Sequence, residues 1–121
     1  MEAQRGQKVH TSYSIKVDID SKTIDWKRIK LVLSRLREMK LKMAKGEVFK
    51  TNHGWHVYIW VDSIADIYLP FIQLLFGSDY KREILNFERV YNLEEDWNVL
   101  FQDNEKLSSN RSKKLNSMLK I

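Results

Sequence analysis

The sequence predicts an α+β fold, a split β-α-β arrangement with an antiparallel-rich sheet and helices packed on one face. Three observations carry this expectation. Residues from Ser12 alternate apolar and polar with a period of two, those from Trp26 switch to helical spacing, and Glu47 to Asp62 return to alternation around an Asn-His-Gly turn. The 121 residues are 43% hydrophobic and 31% charged, enough to build one core and too few for two domains. Absence of cysteine excludes disulfides, thiolate metal sites and cysteine nucleophiles. No apolar run approaches the ~20 residues that cross a bilayer, so no membrane partner and a cytoplasmic location are expected.

Residues 1–11 are polar and are expected to form a loose leader. In the first strand Tyr13, Ile15, Val17 and Ile19 share one face, and Ser14, Lys16, Asp18 and Asp20 the other. Ser21 to Asp25 supply cap and turn chemistry. Ile29, Val32, Leu33, Leu36, Met39 and Met43 then define a helix that Gly46 is expected to end. Asn52-His53-Gly54 joins two strands, Glu47–Thr51 and Trp55–Asp62, with the glycine available for positive φ. A second helix is expected from Ser63 with Ile64, Ile67, Phe71, Leu74 and Leu75 inward and Pro70 either kinking it or starting a new one. Gly77-Ser78-Asp79 stops it. Tyr80 to Tyr91 is ambiguous, a short helix at its start with a strand through Leu85, Phe87 and Arg89 left open, and Trp97 to Phe101 reads as a final strand with Trp97 in the core. The domain is expected to span residues 12–101. Residues 102–121, polar and basic, are expected to be a flexible or loosely helical tail.

Lys+Arg outnumber Asp+Glu by 21 to 16, giving a net charge of +5. The excess lies in the first helix and the tail, while the rest is net acidic, and this segregation favours an anionic partner. The function-bearing residues are expected on the uncovered sheet face. Period two places Lys16, Asp18 and Asp20 on one side of the first strand, and His56, Tyr58 and Trp60 on the matching side of its neighbour. Two carboxylates two residues apart can hold a divalent cation, and the imidazole can meet a phosphate. Exposed Tyr58 and Trp60 can instead stack bases. Arg82 and Arg89 can either clamp phosphates or pair with Asp79, Glu83 and Glu88. His53 and His56, three apart on an extended segment, face opposite sides and do not suggest zinc. No phosphate-binding glycine loop occurs.

The element order is similar to that of RNA-recognition and polymerase-palm domains. Val17-Asp18-Ile19-Asp20 and Thr51-Asn52-His53-Gly54-Trp55-His56-Val57-Tyr58 resemble the first two motifs of the archaeo-eukaryotic primase and primase-polymerase superfamily. Phe76-Gly77-Ser78-Asp79, Arg82, Arg89 and Asn98-Val99-Leu100-Phe101 are similar to its small archaeal, plasmid and viral members. That resemblance implies metal binding by Asp18 and Asp20, nucleotide contact by His56, and a replication context. Family catalysts carry a third acid on a later strand; this chain has Asn86 there, and Glu88 would point away. The reading expected is therefore a nucleic-acid-binding protein, single-stranded DNA favoured, contacting its ligand through Lys16, His56, Tyr58, Trp60, Arg82 and Arg89 and requiring no cofactor. The alternatives are a metal-dependent nucleotidyltransferase or nuclease using Asp18, Asp20 and His56 with Mg²⁺ or Mn²⁺, and a non-enzymatic module that homodimerises through its exposed aromatics.

Overall fold

A computed structural model describes residues 9–100, 102 and 104–120, with side chains from Ile15 onward. The leader up to residue 8, the Tyr13 side chain and Phe101 lie outside it. Strand β1 (Val9–Ile19) pairs antiparallel with β3 (Trp55–Ala65), and β3 pairs antiparallel with β2 (Met43–Lys50) on its other side. A two-residue strand β4 (Lys106–Leu107) extends the sheet to the order β1-β3-β2-β4. β1 and β2 thus run parallel with β3 between them, joined by helix α1 (Trp26–Glu38), which is the split β-α-β unit expected. The fold is α+β.

One sheet face builds the core because its strands place branched side chains there at every second position. Ile15, Val17, Val48, Val57, Ile59 and Val61 are almost wholly buried against Ile29, Val32, Leu33 and Leu36 of α1. Asp25 caps that helix by accepting from the Arg28 N–H at 3.1 Å. The helix ends at Glu38, eight residues before Gly46, because Lys40 turns the chain at φ 69°. Gly46 instead sits inside β2, where a Cβ would lie 2.4 Å from Leu115 Cδ2. It marks a close approach.

That approach is made by α4 (Ser109–Leu119), formed from the segment expected to be a tail. Leu115 is fully buried and Leu119 nearly so, while Asn116 bonds both the Gly46 N–H and its carbonyl, at 2.9 and 2.8 Å. Arg111 lies 4.1 Å from the centre of the Trp55 ring. The domain therefore does not stop at residue 101; α4 shares the core face with α1.

β3 continues to Ala65, past the expected helix start, and one turn of 3-10 helix (Asp66–Tyr68) leads into α2 (Leu69–Leu75) with Pro70 in its first turn. Leu69, Pro70 and Gln73 face inward, so Phe71, Leu74 and Leu75 are exposed, opposite to the phase the sequence suggests. Helix α3 (Tyr80–Tyr91) occupies the whole ambiguous segment, with no strand at Leu85 to Arg89. Residues 97–100 form no strand either: Trp97 is in the core, but Val99 is exposed.

These two helices close the free edge of β1. The Lys16 N–H donates to Gln73 Oε1 and the Asp18 N–H to Ser78 Oγ, both at 2.9 Å. Arg82 Nη1 donates to the Lys16 carbonyl at 3.1 Å, and the Asp79 N–H to the Asp18 carbonyl at 2.7 Å. Side chains and one turn thus satisfy backbone groups that an exposed edge would offer to another strand. Behind them Glu83, 2% exposed, accepts from Gln73, Ser78, Asn86 and Arg82, and Asn98 bridges Gln73 to Arg82. A buried carboxylate is tolerable with that many donors.

Candidate functional site

Register alone assembles the centre of the site. Asp18 stands opposite His56 and Lys16 opposite Tyr58, on the sheet face away from α1. Two residues further along, Trp60 lies half-buried with Lys45 Nζ 4.9 Å from its ring centre. The face is not open, however. His56 and Tyr58 are 8% and 5% exposed because the segment leading into β4 folds over them.

Glu105 in that segment fastens the arrangement. A single oxygen, Oε2, accepts from the Tyr58 hydroxyl at 2.5 Å and lies 2.5 Å from His56 Nδ1. The other ring nitrogen, Nε2, is 3.4 Å from Asp18 Oδ1. Burial works against a charged imidazole, but the hydrogen bonds to Asp18 and Glu105 and their negative charges outweigh it, so the His56 pKa is raised. A protonated ring would direct one N–H at each of these carboxylates. Burial, and then the bond to Glu105, push the Tyr58 pKa upward and keep its phenol protonated. Lys16 is shifted downward by burial and by the Arg82 charge.

Two clefts open from this centre and share Asp18, His56 and Asp79. The first, about 380 Å³, is completed by Asp20, Asn52 and His53 and is acidic. The hairpin turn between β2 and β3 brings His53 round to the same cleft as His56, which correct spacing on an extended strand would not do. Gly54 makes that turn possible by closeness rather than by positive φ: a Cβ there would lie 1.9 Å from the Ile19 carbonyl oxygen. The second cleft, about 370 Å³, is walled by Lys81, Arg82 and Arg89 of α3.

Among the residues singled out in the sequence, Asp18, His56, Lys16 and Tyr58 are thus adjacent. Asp20 lies just past the end of β1 and is exposed. Arg82 is committed in part to Glu83 and Asn98, whereas Arg89 is half-buried and lines the second cleft. Tyr58 offers no face for stacking: its ring is buried, edge-on to Phe49 at 5.5 Å, and its hydroxyl is bound. Its expected contact with bases is corrected accordingly. Glu105 and Asp79 were not singled out as members of the site; Glu105 is distant in sequence, and no pattern in the chain links it to His56.

Fitness for the divalent metal implied by the primase resemblance can be tested on these donors. Among the described residues no three His, Asp or Glu side chains converge to hold an ion. Asp18 faces His56, and Asp20 sits on the exposed chain beyond the strand. Among the described residues no helix is long and apolar enough to cross a membrane. Comparison with protein-family models, curated proteins and solved structures returned no match.

Proposed function

We propose that this protein binds a nucleic acid, single-stranded DNA in a replication context, along the sheet face that carries His56. The observation behind this reading is the basic wall of one cleft: Lys81, Arg82 and Arg89 line it together with Asp18 and Asp79, while Asp20 lines only the acidic cleft beside it. A phosphodiester enters the basic cleft, where Lys81 and Arg89 meet its oxygens. Beyond the cover over His56 and Tyr58, Trp60 lies on the same face four residues along β3 from His56, about 13 Å at ~3.3 Å each. Trp60 serves as the stacking platform in place of Tyr58. Asp20, in the neighbouring cleft alone, disfavours the backbone there by repulsion.

Fluorescence anisotropy with a labelled oligothymidylate tests this reading. Binding should weaken in Lys81→Ala with Arg89→Ala and in Trp60→Ala, each with unchanged circular dichroism. Affinity indifferent to all three changes would refute it. Primer extension or cleavage with Mn²⁺ that is lost in Asp18→Ala would instead favour the catalytic alternative.

A further inference from the structure

Helices α2 and α3 turn outward the side chains that a helix packed on a sheet ordinarily hides. Tyr80, Ile84, Phe87 and Tyr91 of α3, with Phe71 and Leu75 of α2, are between 41% and 63% exposed. The faces turned inward carry Gln73, Glu83 and Asn86 instead. Phe71 and Phe87 meet edge to face with ring centres 5.5 Å apart, over a groove of about 260 Å³. At ~200 Å² for each large side chain, the six leave roughly 650 Å² of apolar surface in water. That exceeds the ~300–600 Å² of the largest patch on a typical monomer. Before any rim atom is counted, it approaches the ~800 Å² that each partner gives to a standard interface.

Spacing along α3 specifies the occupant. Tyr80, Ile84, Phe87 and Tyr91 are separated by four, three and four residues, a pattern that reads the same in both directions. A second α3 running antiparallel therefore sets Tyr80 against Tyr91 and Ile84 against Phe87 in both halves, as a two-fold interface requires. Charge on the flank agrees with this. Lys81 and Glu88 lie seven residues apart on one side of the stripe, so reversal brings the lysine of each copy to the glutamate of the other. We propose that the protein forms a two-fold dimer in which the exposed apolar face of α2 and α3 packs on the same face of a second copy. The apolar stripe lies apart from Tyr58 and Trp60 and stands without the nucleic-acid reading, although Lys81 on its flank also borders the basic cleft.

Light scattering and sedimentation equilibrium of the full chain over a concentration series test the dimer. A species of twice the 14.5 kDa chain mass is expected, and Ile84→Glu with Phe87→Glu should return it to the single-chain mass with circular dichroism unchanged. The chain has no cysteine, so placed thiols give a second readout independent of that variant's folding. An equimolar mixture of Ile84→Cys and Phe87→Cys chains should form more disulfide-linked dimer on oxidation than either alone. A chain that stays monomeric throughout, a dimer unaffected by the two glutamates, or thiols with no preference for the mixed pair would each overturn the proposal. A monomeric result would assign the face to a different protein.

Discussion

Replacing Glu105 by Gln tests the arrangement at the centre of the site with almost no change of shape. In the native protein one carboxylate oxygen receives the Tyr58 hydroxyl and faces His56 Nδ1, with both the histidine and glutamate side chains at most 10% exposed. Hydrogen bonds to charged groups contribute ~1.5–3 kcal/mol, against ~0.5–1.5 for neutral ones, so losing the charge on two bonds costs about 2 kcal/mol. With an unfolding entropy of ~2.1 cal/mol/K per residue, a chain of this length loses roughly 8 °C in Tm. The pH dependence should change as well. His56 has a folded-state pKa above its unfolded 6.5, so its stabilisation is fully present below pH 6.5 and is lost as pH rises through the folded value. Wild type should therefore lose stability from neutral pH upward, and Glu105→Gln should flatten that decline. Urea denaturation across a pH series, with calorimetry for Tm, measures both effects. A variant with native Tm and an unaltered pH slope would refute the role assigned to Glu105.

Two other substitutions address the frame that holds the site. Leu115→Ala should destabilise the protein by ~2–5 kcal/mol, as a cavity in the core does, whereas a loose tail would tolerate it; chemical denaturation separates the two outcomes. Gly54→Ala should cost more than ~4 kcal/mol or prevent folding, because the added methyl meets the Ile19 carbonyl and only a backbone shift relieves it. Near-native stability in that variant would contradict the packing of the hairpin turn against the end of β1.

Much of the sheet was legible because period two is a property of short stretches. Lys16 and Asp18 could be set beside Tyr58 and His56 from alternation and one turn, and the register pairs them so. The cover over that face was not legible. Glu105 reaches His56 from a segment 49 residues further on, and no local pattern encodes such a contact. Helix α3 misled for a different reason: its inward face is built on Glu83 and Asn86, while Ile84 and Phe87 point outward, so an apolar period marks the wrong side. The phase of α2 inverted similarly, because Gln73 is needed inside to satisfy the edge of β1. In α4 the apolar signal is confined to Leu115, Met118 and Leu119 among polar and basic neighbours, too sparse to distinguish a docked helix from a solvated end.

Occupation of the basic cleft beside His56 by phosphates is the step on which the proposed binding rests, and the salt dependence of single-stranded DNA binding reads it out. For a single strand the slope of log K against log salt falls by ~0.7 for each phosphate neutralised. Removing Lys81 and Arg89 together should therefore make the slope shallower by roughly 1.4 while weakening binding to all sequences alike. A slope identical to that of wild type would place the phosphates elsewhere, and binding with no salt dependence at all would contradict the account.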